Sequence, residues 1–243
     1  MSARKSNIEL LRILSMTMVL AVHLDGASLG LPEAMGDISG ISAHDWWRII
    51  VESFTIIGVN VFTLISGYFG IRASWQGFIK LVATCLFYSC GVYLGLVVTG
   101  MLPWQWSDFA NAVMIFSHTD LWYVPAYLGL YLLSPILNNA IQHLNRHQYA
   151  WSLLGFIFFN MYLGWWQGAS FNPTGYTLTQ LIMMYLIGQY LGKYGLFKNS
   201  RYLYLSIYIV ASIAIIIQSL YCKSLWTFAY NSPFVVISSV AFL

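Results

Sequence analysis

IELLRILSMTMVLAVHL, residues 8–24, is the stretch whose reading decides the fold. It carries two side chains that hydrocarbon tolerates poorly, Arg12 and His23. The ten residues between them, ILSMTMVLAV, are apolar except for Ser15 and Thr17. A helix needs about 20 residues to cross a bilayer, so a span here must contain Arg12 and His23 or set them at its edges. They stand eleven positions apart, which in a helix is about three turns plus 20° and about 16 Å of rise. Both side chains therefore share one face. Turned to lipid, each would cost kcal/mol, so this face is expected to turn toward a wet, protein-lined interior.

Composition extends the membrane reading to the whole chain. Of its 243 residues 59% are hydrophobic and 8% charged, with a mean hydropathy of +0.68. Soluble domains carry about 25% charged residues, so a two-layer soluble core is excluded. Cys85, Cys90 and Cys222 all lie in apolar stretches, which argues against a disulfide framework and fits small buried side chains. The first apolar stretch has an internal Arg and no small-residue cleavage site, so it does not read as a removable signal. Walker-type loops, HExxH, CxxC and GxSxG are missing from the sequence, which leaves ATPase, zinc-protease and hydrolase-elbow readings without support. No metal site is expected.

Outward from residues 8–24, further spans are expected at about 47–69, 77–99, 121–137, 149–166, 176–192 and 202–221. The fold class is thus an all-α polytopic transmembrane bundle of seven spans, with part of an eighth at 233–243. That run ends without a basic flank, so the bundle is expected to be truncated at its C-terminal end. The Trp-rich stretch 101–120 reads as interfacial or re-entrant, because Trp prefers the headgroup level. Ser134 and Pro135 are expected to mark the end of the fourth helix. With the N-terminus in the cytoplasm, one side collects Arg4, Lys5, Arg12, Arg72, Lys80, Arg146, Lys193, Lys198 and Arg201. The other holds only Arg48 and Lys223, together with the acids Asp25, Glu33, Asp37, Asp45, Asp108 and Asp120. The positive-inside rule selects this orientation: a multi-pass protein of the inner (plasma) membrane with a cytoplasmic N-terminus.

Several residues have two readings each. His23 is a general base for a hydroxyl nucleophile, since imidazole titrates near neutral pH, or a side chain snorkelling outward beside Asp25. Arg12 is a cytoplasmic anchor, or, paired with Glu9 at i, i+3, part of an interior polar site. There a guanidinium would hold phosphate or carbonyl oxygen. Glu52 partners His23, partners Arg48, or sits among headgroups. Asn60, Ser66, Gly67 and Tyr68 form a polar, small-residue line that serves close helix approach or a site. Trp122, Tyr123, Tyr127 and Tyr131 form a stripe, either packing or a ligand shelf. His118 has nothing to distinguish it.

Three stretches stand in register: R-x10-H at Arg12–His23, NVFTLISGYFGIR at 60–72 and LWYVPAYLGLYLLSPILN at 121–138. Together they resemble the membrane-bound acyltransferase family 3, over most of the chain, and Glu9 stands where that family carries an early acid. The resemblance implies a single acyltransferase domain over residues 1–243 with its C-terminal end incomplete. It implies an O-acyltransferase that moves an acyl group, acetyl above all, from acyl-CoA to a hydroxyl. The acceptor would be a cell-surface polysaccharide, an exopolysaccharide or lipopolysaccharide, or its lipid-linked precursor. His23 would be catalytic and Arg12 would orient the donor, with Glu9, Glu52, Ser66, Tyr68, Trp122 and Tyr123 completing the substrate-binding set. Acetyl-CoA would be a donor substrate rather than a bound cofactor. The partners would be donor, glycan and membrane lipid, without nucleic acid. The rival class is a transporter or flippase for a glycan or organic anion, which would also bury Arg and His in a wet interior.

Overall fold

In lipid a chain must satisfy its own backbone, and uninterrupted apolar stretches do so as helices. The computed structural model describes residues 6–29, 41–116, 122–195, 201–222 and 225–243. Expectations that fall on Arg4, Lys5, Glu33, Asp37, His118, Asp120, Lys198 and Lys223 lie outside these residues. The helices are α1 (Ser6–Leu29), α2 (Ala43–Thr55), α3 (Gly58–Phe69), α4 (Trp75–Val98), α5 (Trp106–Val113), α6 (Tyr123–Gln142), α7 (Arg146–Phe159), α8 (Leu178–Tyr194), α9 (Arg201–Tyr221) and α10 (Pro233–Phe242). Among the described residues there is no strand.

Among the described residues five segments are long and apolar enough to cross a membrane: Asn7–Gly26, Ala43–Phe69, Trp75–Val98, Tyr123–Gln142 and Arg201–Tyr221. The other expected spans are helical but shorter. α7 has 14 residues before it widens into a π-helical stretch at Asn160–Trp166, and α8 has 17. The chain reads as a multi-pass membrane protein, all helical where it is described.

Two boundaries differ from expectation for local reasons. The second stretch is two helices, α2 and α3, joined by a turn at Ile56–Ile57. Ile56 N–H closes α2 on Glu52 O at 2.8 Å, Val61 N–H opens α3 on Ile57 O at 2.9 Å, and between them Phe54 O accepts from the Tyr208 hydroxyl at 2.9 Å. The fourth helix does not stop at Ser134–Pro135, because α6 runs on to Gln142. Pro135 has no N–H to offer the carbonyl four residues back. The Ser134 hydroxyl donates to that same Tyr131 carbonyl at 2.8 Å, so the helix continues without an orphaned acceptor.

The chain divides into two compact units, Gly70–Leu144 and the remainder, Met1–Phe69 with Asn145–Leu243. Within Gly70–Leu144, the Tyr131 hydroxyl on α6 accepts from Ser74 N–H at 3.0 Å and donates to Ser74 O at 3.2 Å, fixing the start of α4. Asn138 donates to Ile71 O at 2.9 Å. α5 packs its Trp106 and Phe109 with Trp104 and Tyr93. Its eight residues are too few to span, in keeping with an interfacial segment.

The larger unit is built on a close contact between α3 and α8. A Cβ placed on Gly67 would lie 2.1 Å from Tyr185 O, and one on Gly188 2.3 Å from Leu64 O. Backbone therefore touches backbone, which only glycine permits. On the other side of α3, Gly58 sits against Ser15 O and the Val19 side chain of α1. Neighbouring contacts set the helix directions. Asp25 meets Arg48 across α1 and α2, Tyr149 meets Leu186 across α7 and α8, and Ser212 meets Ser238 across α9 and α10, each pair antiparallel. α3 and α8 run the same way.

A chain of buried amides locks these helices together. Asn60 on α3 donates to Tyr230 O at 2.8 Å, and Gln180 on α8 donates to Asn60 Oδ1 at 3.2 Å and to Tyr230 O at 2.7 Å. Asn160, where the π-helical stretch begins, donates to Gln180 Oε1 at 3.1 Å and accepts from Asn172. Asn172 in turn accepts from Thr177 Oγ1 at 2.6 Å, and its carbonyl accepts from Asn231 at 2.6 Å. Amides unpaired in an apolar core are costly, so satisfied ones specify which helices meet.

Candidate functional site

The first helix packs through Ser15 and Val22, its two buried side chains among the described residues. Arg12 and His23 lie about 60–100° round the helix from those two residues and about 20° from each other. Both are exposed, so the face expected to turn into the protein borders the packed seam instead. One face does carry both groups, as their spacing requires.

Their local contacts define what they can do. His23 Nδ1 is 2.8 Å from Val19 O. A carbonyl can only accept, so Nδ1 carries a proton, and in the neutral imidazole the Nε2 lone pair is left outward. That is the tautomer a general base needs. The backbone bond also fixes the ring to its own helix. Arg12 Nη1 donates to Glu9 Oε1 at 3.1 Å, one helical turn back. The pair is exposed, which makes it weak and leaves four of the five guanidinium N–H groups outside that bond.

Asp25 is not beside His23, because two residues along a helix turn the side chain by about 200°. It receives both Arg48 Nε at 2.8 Å and Nη2 at 3.0 Å, a bidentate clamp between the ends of α1 and α2. With Arg48 and Asp25 side chains 12% and 17% exposed, the pair behaves as mostly buried. Arg48→Ala is expected to cost about 3 kcal/mol, since it strands a desolvated carboxylate. Thermal unfolding in detergent of Arg48→Ala, Asp25→Ala and the double variant measures the coupling. Strict additivity would contradict it.

Glu52, one turn below Arg48, hydrogen-bonds neither His23 nor Arg48. It is buried, and neither carboxyl oxygen has a hydrogen-bond partner among the described residues. A buried acceptor without a partner costs about 1–3 kcal/mol. Glu52→Met is therefore expected to raise the unfolding midpoint. A lowered midpoint would mean that the carboxyl is bonded after all.

The remaining expected residues fall into separate places. Ser66 spends its hydroxyl on Phe62 O at 3.0 Å, within its own helix. Tyr68 is exposed at the end of α3 and lines a cavity of about 580 Å³ with Leu191, Arg201, Tyr204, Leu205 and Phe242. Trp122 and Tyr123 belong to the Gly70–Leu144 unit, where Trp122 packs edge-on to Tyr123 at 5.8 Å and Tyr123 stacks on Tyr127 at 5.5 Å. Among the described residues there is no group of His, Cys, Asp and Glu arranged to hold a metal.

A family model described as an acyltransferase domain matches residues 5–243. The chain belongs to acyltransferase family 3. No curated protein and no solved structure matches it. The fold of this acyltransferase is therefore a membrane helical bundle, and the chemistry to be placed on it is acyl transfer.

Two features of the acyltransferase escaped the sequence reading. The amide chain was missed because its partners lie up to 170 positions apart. Its signal was present in amides inside apolar runs, Asn160 and Gln180 beside Asn60. The cavity was missed although Arg201, Tyr204, Leu205 and Tyr208 recur at i, i+3, i+4 and i+7 on one face of α9.

Proposed function

We propose that this protein is an integral membrane O-acyltransferase. It moves an acyl group, acetyl in the first instance, from acyl-CoA to a hydroxyl of a cell-surface polysaccharide or of its lipid-linked precursor. The observation that carries the reading is the His23 Nδ1 bond to Val19 O, which leaves a base lone pair on the same helix face as Arg12. In this reading His23 Nε2 takes the proton of the acceptor hydroxyl as its oxygen attacks the thioester carbonyl. The C–S bond breaks, and the thiolate of CoA leaves and is protonated. Arg12 stands about 16 Å from His23 by helix rise, too far to polarise the same carbonyl. It holds the phosphate end of the donor, a task suited to guanidinium. The donor is made in the cytosol and the acceptor lies outside, so a helix face with Arg12 toward one end and His23 toward the other spans between the two.

The test uses membranes containing the full chain, [14C]acetyl-CoA and the host glycan. Label is expected in glycan and is expected to be released by mild base, as an O-ester is and an amide is not. Stable label, or none in glycan, contradicts the reading. Arg12→Lys keeps the charge and loses the planar fork. It is expected to raise the KM for acetyl-CoA with little change in kcat, and an unchanged KM removes Arg12 from donor binding.

The carrier reading would be favoured by spans with unwound centres. At the Ile56–Ile57 turn the Phe54 carbonyl accepts from the Tyr208 hydroxyl at 2.9 Å, a partner within the protein rather than a cargo, so the turn lends that reading nothing.

A further inference from the structure

The His23 ring turns with its helix. Nδ1 is tied to Val19 O, one turn back on α1, so the direction of Nε2 is set by how α1 is rolled about its axis. Side chains reach about 5–6 Å from a helix axis, and a roll of about 10° therefore moves Nε2 by about 1 Å. A shift of that size at a reacting atom costs about a hundredfold in rate. Whatever fixes the roll of α1 thus bears directly on a base at this position.

Two contacts of the larger unit act on that roll. In the middle of α1, Gly58 lies against Val19 itself. A Cβ on that glycine would meet Ser15 O at 2.8 Å and Val19 Cγ2 at 2.9 Å. Glycine offers α1 no side chain to lock on to, so this contact sets distance more than rotation. Toward the C-terminal end of α1, Arg48 donates to both oxygens of Asp25, Nε to Oδ1 at 2.8 Å and Nη2 to Oδ2 at 3.0 Å. Two parallel bonds to a planar carboxylate fix direction as well as distance. Arg48 is in turn steadied from its own helix. Its Nη1 lies 3.8 Å from Asp45 Oδ1, and Asp45 Oδ2 accepts from the Ser42 hydroxyl at 2.6 Å. Asp25 leaves α1 about 200° round from His23 and only about 3 Å along it. Holding Asp25 on α2 therefore aims His23 away from α2.

We propose that Arg48 is a positioning residue for acyl transfer: through Asp25 it sets the roll of α1 and with it the aim of His23 Nε2. The proposal rests on His23 being the base, and adds to that reading the group that aims it. Lysine at 48 would keep the charge but not the planar fork. The pair would still join α1 to α2 and would fix the roll less firmly.

The test is a cycle of variants of the full chain, assayed in membranes with [14C]acetyl-CoA and glycan. Rates are corrected for folded protein by size exclusion after detergent extraction. R48A is expected to lower kcat per folded chain by about 30–100-fold. The KM for acetyl-CoA is expected to stay within about twofold, because Arg12 is about 20 Å of helix rise from Asp25. R48K is expected to recover kcat to within about tenfold of the wild type. N160A breaks the amide chain away from α1 and is expected to keep kcat per folded chain. The sharpest arm is H23A/R48A, read in long incubations. A residue that acts through His23 has nothing left to aim in H23A, so adding R48A there is expected to change the residual rate by less than about threefold. Effects of H23A and R48A that multiply overturn the proposal, as do an unchanged kcat in R48A or an equal loss in N160A. Should R48A not yield folded protein, R48K and H23A/R48K close the same cycle. If H23A itself keeps its rate, the base reading has failed and this proposal with it. Multiplied effects with H23A impaired leave the base in place and remove only Arg48.

Discussion

His23→Ala is expected to lower acyl transfer by about 10²–10⁴-fold, the usual contribution of a general base, while membranes hold as much of the protein as before. The second half of that expectation follows from the surroundings of the ring. His23 is exposed and its bond is to a carbonyl of its own helix, so truncation leaves no cavity and strands no buried partner. Stability and activity should therefore separate cleanly at this position. His23→Gln sharpens the result. Its side-chain amide can still reach toward Val19 O but offers no basic lone pair, so it should be as inactive as Ala. A variant that keeps more than half of the activity at equal protein level would remove the base from the mechanism.

Gly188→Val is expected to prevent accumulation of a monodisperse protein, and Gly67→Ala to do nearly the same. At both positions the added carbon would fall within 2.3 Å of a carbonyl oxygen on the facing helix, Leu64 O or Tyr185 O. A flexible side chain could swing aside, but backbone can yield only if α3 and α8 separate along their length. Those helices carry Asn60 and Gln180, so parting them also breaks the amide chain. The combined loss should exceed about 4 kcal/mol, the range reserved for disrupted cores. Gly91→Ala in α4 and Gly155→Ala in α7 meet nothing within 4 Å and serve as controls, with changes within about 0.5 kcal/mol. Equal yields from all four variants would mean that α3 and α8 are not in contact through these glycines.

What the sequence made legible, and what it hid, follows from the solvent. Arg12 and His23 could be placed on one helix face from spacing alone, because helix geometry needs no partner. The helical stretches were legible for the same reason, since each satisfies its own backbone. Gly67 was readable as a site of close approach, though not its partner in α8. The side of α1 that packs was not readable. In a soluble protein the apolar side is the packed side, but here Leu10, Ile13 and Leu20 are exposed while Ser15 is buried, since lipid and protein interior are alike apolar. Glu52 illustrates a related limit. Its place in an apolar run left a buried partner and the headgroups equally open, and the capture of Arg48 by Asp25, 23 positions away, depends on how two helices meet. α6 passed through Pro135 because Ser134 supplies the missing donor, a compensation visible only once the helix is built.

Acyl transfer at His23 requires water and substrate to reach the Arg12–His23 face of α1. Thiol accessibility measures this directly. With Cys85, Cys90 and Cys222 replaced by Ser, Met16→Cys lies about 20–40° from Arg12 and His23 on the same face, and Leu14→Cys lies about 160° or more from them. In intact membranes a charged, water-soluble thiol reagent is expected to label the cysteine at 16 and to spare the one at 14, although both native side chains are exposed in the isolated chain. Labelling at 14 but not at 16, or at neither, would put His23 against hydrocarbon and contradict its role in acyl transfer.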